Sequence, residues 1–233
     1  MTDIDPDVLR FVEDRGVTRL LHFTQSRNLP GILAEESLRD VESLRGDPFM
    51  TFASSDTVRA DGHLDKLSFS IEYPNAYYLR DARARTDGYP DWVVFAFSPY
   101  LSATMGTLFS PYNAAKSGAP RVPGASGIEA CYASTVRYSR TVTRASSHNK
   151  RSPTDIQAEL LIPGPILLSG AIGIVTQSPE DALLEMDRLE FLGQDPTKVE
   201  WLVSPDMFDP NRVIRAVRQS AEIDVFDLNG GRV

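Results

Sequence analysis

Apolar and polar positions follow two periods along this chain, and the changes of period mark its elements. Val8, Leu9, Phe11 and Val12 form a helical stripe that Asp5 can cap, with Pro6 in the first turn and Gly16 at the end. Arg19 to Thr24, RLLHFT, reads as a strand. Ser26 to Leu38 reads as a short helix with Leu29, Ile32 and Leu33 inward, and Pro30 fits because it falls in the first turn. Lys66 to Tyr73 alternates, with Leu67, Phe69 and Ile71 on one face and Ser68, Ser70 and Glu72 on the other, which predicts a half-buried strand. Pro74 and Asn75 then open a helix carrying Tyr77, Tyr78, Arg80 and Arg83. WVVFAF at Trp92 to Phe97 has no polar position, so it predicts a central strand covered on both faces.

Between these runs the chain is loop-like from Arg45 to His63, with a short strand expected at Phe49 to Phe52 and Arg59 in the loop. A Gly/Pro/Ser-rich stretch from Ser117 to Gly127 is loop by composition, and a long surface loop is preferred there to an interdomain linker. Arg151 to Pro165, RSPTDIQAELLIPGP, joins a turn-prone approach to the apolar run Leu160, Leu161 and Ile162, so it reads as a loop feeding a buried strand. On that strand Gln157 and Glu159 would point to one face while Ala158 and Leu160 point into the core. Ile166 to Gln177 supplies another strand region, and Ser178 caps an amphipathic helix from Pro179 to Leu192. Val199 to Val203 reads as a strand, Asn211 to Ser220 as a last helix and Ile223 to Leu228 as a closing strand. Short strands and helices in no strict alternation predict an α+β fold, and 233 residues suffice for one domain over 1–233.

Composition narrows the function. The net charge of −8 argues against a generic nucleic-acid binder, so any such contact must be local. Positive charge without compensating acid gathers at Arg137, Arg140, Arg144, Lys150 and Arg151, a run that is either a solvated loop or a substrate-facing one. One cysteine, Cys131, excludes an internal disulfide and reads as a small buried hydrophobe. With only three histidines beside it, the sequence argues against a metal site. The acidic N-terminal segment and the lack of a long apolar run predict a soluble cytoplasmic protein without a membrane partner. No P-loop, Gly-x-Gly-x-x-Gly or nucleophile elbow occurs.

Five segments, in order, carry a resemblance: His22-Phe23-Thr24, Asn28-Leu29-Pro30-Gly31-Ile32-Leu33, Ser68-Phe69-Ser70-Ile71 with Pro74-Asn75, Asn113-Ala114-Ala115, and Asp155-Ile156-Gln157-Ala158-Glu159-Leu160. Together, over roughly Thr18 to Ser204, they resemble the DarT-type ADP-ribosyltransferases, toxins that attach ADP-ribose from NAD to a nucleic-acid base. The resemblance implies two packed, mostly antiparallel sheets flanked by helices around an NAD cleft. It implies Glu159 and Arg59 as catalytic residues, Arg45 being the rival for the arginine, and His22, Thr24, Asn28, Ser68, Ser70 and Tyr78 around NAD. It assigns Gln157 to the acceptor nucleotide and makes 117–152 the substrate-facing region, where Arg144 and Arg151 grip phosphates and Tyr138, or else Tyr132, stacks on a base.

NAD is the implied co-substrate, single-stranded DNA is favoured over RNA as acceptor, and an antitoxin that removes ADP-ribose is the implied partner. The PTDIQAE and SFSIEYPN stretches look closer to the guanine-associated branch than to the thymidine one. A protein side chain as acceptor, since Gln-x-Glu also occurs in arginine-directed transferases, and an inactive binding module are the alternatives.

Overall fold

The structure, a computed structural model, describes residues 3–46, 62–85 and 90–233. Helix α1, Pro6–Arg15, starts where Asp5 Oδ1 accepts the Asp7 and Val8 amides and stops at Gly16, whose φ of 67° ends the helix without steric cost. Strand β1, Leu20–Gln25, runs through a single 3-10 turn into α2, Leu29–Glu35, then β2, Ser37–Leu38, and α3, Val41–Arg45. The expected strand at Phe49 to Phe52 and the Arg59 loop lie outside the described residues. Beyond them come β3, Lys66–Ile71, and α4, Ala76–Arg83, which starts after Pro74 and Asn75 as expected and which Asn75 caps through its side chain.

β4, Trp92–Phe97, is buried throughout, the central strand that an all-apolar run requires. β5, Leu108–Ser110, and β6, Val122–Pro123, lead into α5, Gly124–Cys131, and a hairpin of β7, Thr135–Arg137, with β8, Thr141–Thr143. The long loop expected over 117–152 therefore carries a helix and a hairpin. Its Gly/Ser content has a packing reason: a Cβ at Gly127 would fall 2.0 Å from the Val122 carbonyl oxygen, so only glycine lets α5 lie this close to β6.

β9, Glu159–Pro163, β10, Ile166–Leu167, and β11, Ala171–Thr176, follow. α6, Pro179–Phe191, is capped by Ser178 as expected, and β12, Trp201–Val203, α7, Pro210–Gln219, and β13, Phe226–Asp227, complete the chain. Among the described residues nine strands form one sheet in the order β13-β12-β11-β4-β1-β3-β9-β5-β6, antiparallel except where β11 meets β12. The two expected sheets are thus halves of one. β1 pairs with β4 over six residues, but with β3 only at Leu20–Ile71 and Leu21–Ser70, and beyond Leu21 the halves separate. One face packs Leu20, Phe95, Phe69 and Leu160 against α1, α2, α5 and α6; the other packs Leu21, Ala96, Val175 and Leu202 against α4. No helix among the described residues is long and apolar enough to cross a membrane.

Candidate active site

The separation of β1 from β3 is bridged by a side chain. His22, the first residue of β1 past the short ladder, places Nδ1 2.8 Å from the Ser68 carbonyl oxygen, and its ring lies 5.3 Å from that of Phe69. A carbonyl can only accept, so Nδ1 carries the proton and a neutral ring keeps its lone pair on Nε2. Thr24 shares the face of His22, and its hydroxyl accepts from Asn28 Nδ2 at 2.9 Å. These three residues form one group at the C-terminal half of β1.

Ladder register sets a second group on the other face. Leu21 opposes Ser70, Ser68 opposes Leu161, and Ser110 opposes Glu159, so the side chains of Ser68, Ser70 and Glu159 share the side of Leu21. Only across the gap between β1 and β3 can one ligand meet both groups. Tyr78, on α4, also lies on this second side, its ring 5.7 Å from Phe23. The polar face of β3 is not the solvated one its alternation predicted: Ser70 and Glu72 are buried.

Glu159 opens β9 and is half-buried, with Oε2 3.2 Å from the Ala114 amide. The Asn113-Ala114-Ala115 segment thereby holds the carboxylate, and Asn113 Oδ1 in turn accepts from the Ala115 amide at 2.8 Å. Gln157 is not on the strand, which corrects the shared-face expectation. It sits in a turn closed by the Ala158 amide on the Asp155 carbonyl, while Asp155 Oδ1 accepts the Gln157 amide at 2.9 Å. Asp155 is buried, and its preference for bonding the backbone two residues on explains why the strand starts late.

Tyr138 and Arg140 from the hairpin also bind Asp155: the Tyr138 hydroxyl donates at 2.7 Å and Arg140 Nη2 lies 3.2 Å from both carboxylate oxygens. Burial, together with the Asp155 carboxylate, pushes the Tyr138 hydroxyl up to about 12. The half-buried Tyr138 ring stacks on the buried Tyr112, next to Asn113, at 4.3 Å with Lys116 above it, an aromatic and cationic group. Sequence reading singled out Tyr138 but missed Tyr112, and it placed Asp155 in a turn-prone approach and in the last resemblance segment without giving it a role.

In the basic run Arg137, Arg140 and Lys150 are exposed, whereas Arg144 and Arg151 are half-buried and bonded to the protein. Arg144 donates to the carbonyls of Ser152 at 2.9 Å and Asn149 at 2.7 Å, so it holds the loop together; burial lowers its pKa. Arg151 Nε lies 3.4 Å from Oε1 of the fully buried Glu72. Cys131 is a buried free thiol pushed up to about 12 by burial, in keeping with a hydrophobic role. Arg45 is exposed at the end of α3. Among the described residues no cluster of His, Cys, Asp and Glu could hold a metal ion.

His148 closes the same loop, with Nε2 2.9 Å from the Pro153 carbonyl oxygen. Burial lowers its pKa from 6.5, against the hydrogen bond that raises it, and Arg144 and Arg218 add to the lowering. The folded state thus binds fewer protons than the unfolded one, so the neutral ring's contribution is whole above about pH 6.5 and is lost as pH falls through the folded pKa. Urea midpoints measured from pH 7.5 down to 5 should fall below about 6.5, with a shallower fall in His148→Gln; equal slopes would remove His148 from the acid response.

A family model described as "ssDNA thymidine ADP-ribosyltransferase, DarT" matches residues 21–208. Comparison with curated proteins finds no match. In shape the chain is similar to Thermus sp. 2.9 DarT in complex with NAD+, at a TM-score of 0.53 and 17% identity over 82% of this chain and 98% of that one. It is also similar to the same organism's DarT in complex with ADP-ribosylated ssDNA, at 0.52 and 16% over 90% of this chain and 100% of that one. Thermosipho africanus DarTG in complex with ADP-ribose gives 0.52 and 16%, over 82% of this chain and 51% of that one. The family model, which spans β1 to the turn after β12 and so includes both groups flanking the gap, settles the assignment: the chain belongs to the DarT family of ADP-ribosyltransferases.

Proposed function

We propose that this enzyme transfers ADP-ribose from NAD to a base of single-stranded DNA, with NAD lying across the gap between β1 and β3. The observation that carries the reading is the two-sided gap itself: His22, Thr24 and Asn28 on one side, and Glu159, held by the Ala114 amide, on the other. In the reaction the bond from the ribose C1′ to nicotinamide breaks, C1′ becomes oxocarbenium-like, a base nitrogen bonds to it, and that nitrogen's proton leaves. A carboxylate near C1′ stabilises charge that exists only in the transition state, and it can take the departing proton. Glu159 is that carboxylate. Gln157, in the turn two residues before it, contacts the acceptor, and the half-buried Tyr138, backed by Tyr112, is the place for an exposed base to stack. A base must leave a duplex to be reached, hence the single-stranded acceptor.

The likeness of SFSIEYPN and PTDIQAE to the guanine-associated branch supports guanine, whereas the matching family description names thymidine. Oligonucleotides each lacking one base, incubated with NAD and read by mass spectrometry for an added ADP-ribose, separate the two. The adduct should vanish with one base alone; NAD consumed with every DNA and RNA unmodified would redirect the search to protein acceptors. The DarTG relative supports a toxin role with a partner that removes ADP-ribose, which predicts growth arrest on expression.

Arg59 is proposed as the catalytic arginine, its fork matched to the NAD pyrophosphate. Arg59→Ala should lower NAD turnover by about tenfold or more, at least one charge-assisted contact, and Arg45→Ala by less than about twofold. The reverse order would transfer the role to Arg45.

A further inference from the structure

On the Glu159 side of the sheet lies a cavity of about 430 Å³. Its floor is Ala96, Val175 and Leu202, and Arg19, Tyr73 and Arg151 stand at its wall. Register places Ala96 opposite Leu21, and Leu21 opposite Ser70, so the floor is continuous with the face that carries Glu159. The Glu72 amide bonds to the Arg19 carbonyl, which puts Arg19 two residues beyond Ser70 and two strands from β9. Strand rise and spacing then set roughly 12 Å between the Arg19 and Glu159 backbones.

Arg19 is the unusual group there. Its Nε donates to the Glu72 carbonyl at 3.0 Å and its guanidinium stands 5.7 Å from the Tyr73 ring, but among the described residues its Nη groups make no hydrogen bond. Burial lowers its pKa, yet the residue is only half-buried, so its four Nη N–H donors, unmet by protein, remain open to the cavity. Charge is divided along the cavity. At one end Glu72 offsets one of Arg19 and Arg151 and leaves one cation, matched to one monoanion; at the other Arg232 is outnumbered by Glu222 at 2.5 Å and Asp224 at 2.9 Å, so an anion is favoured at the Arg19 end alone.

We propose that this cavity holds a phosphodiester of the acceptor strand, flanking the modified nucleotide, with Arg19 as its fork and Arg151 beside it. A phosphodiester carries one negative charge and two oxygens that suit a bidentate guanidinium. The apolar floor suits the attached sugar or base. This rests on the single-stranded DNA reading above and extends it from the reacting base to its neighbour.

The test uses the full chain, NAD and a single-acceptor oligonucleotide in which each flanking phosphate in turn is replaced by an uncharged methylphosphonate. One such replacement should raise the oligonucleotide KM about tenfold, with kcat within about twofold, and should have little further effect on Arg19→Gln. Arg19→Gln itself should raise that KM about tenfold and lower the slope of log affinity against log salt by about one. Arg19→Lys, which keeps the charge without the fork, should recover the salt slope but not the whole KM. Thermal melting of each variant separates binding from folding. Uniform tolerance of all methylphosphonates by the wild type overturns the inference even if Arg19→Gln fails to fold. Arg19-dependent protection from melting by inorganic phosphate, with methylphosphonates tolerated, would assign the site to a free anion and also overturn it. Failure of the wild type to modify any oligonucleotide would instead strike at the DNA reading itself.

Discussion

Glu159→Gln should lower kcat for ADP-ribosyl transfer by about 10³-fold, roughly 4 kcal/mol of transition-state stabilisation. The loss is large because the carboxylate's charge meets a cationic ribosyl centre that exists only during transfer, in a half-buried site at the head of β9. Two structural contacts of Glu159 survive the substitution. A glutamine oxygen can still accept from the Ala114 amide, and the Ser110 pairing is made by backbone. Single-turnover transfer with saturating NAD and oligonucleotide measures the chemical step, and urea unfolding checks the fold. A loss below about tenfold, or a KM for NAD that accounts for the whole effect, would mean that Glu159 binds ground state and transition state alike.

Local signals in the sequence located most elements, because caps and periods act within a few residues. Asp5 and Ser178 cap the helices they were read to cap, the helix read to open at Pro74 and Asn75 does so, and the apolar run at Trp92 is the central strand. Strands formed by distant pairing were harder: β5 and β6, of three and two residues, exist because β9 and α5 cover them. Glu159 was legible as a candidate through its motif, yet its geometry was not. Asp155 turns the chain at Gln157 and removes that residue from the strand, a competition between side-chain and ladder hydrogen bonds that alternation alone does not register.

Glu72 shows the same limit with a larger energy. Its place at the end of an alternating strand predicted exposure, but it is fully buried with φ at 66°, a left-handed conformation that disfavours any residue with a Cβ. What holds it there is its carboxylate, which takes the Thr18 amide at 2.9 Å, the Thr18 hydroxyl at 3.0 Å and Arg151 at 3.4 Å. Glu72→Ala strips all three partners of their acceptor and keeps the strained backbone, so unfolding free energy should fall by about 3 kcal/mol. Glu72→Gly loses the same carboxylate but relieves the backbone, and should be more stable than the alanine variant by about 1 kcal/mol. Urea titration of both gives the two differences separately. Equal stabilities would show that the backbone at 72 stores no strain, and losses under about 1 kcal/mol in both would show that the carboxylate does not hold Thr18 and Arg151. Because Arg151 leads within six residues to Gln157, the same pair should show in function: both variants loosen the approach to the turn and raise the oligonucleotide KM more than the NAD KM.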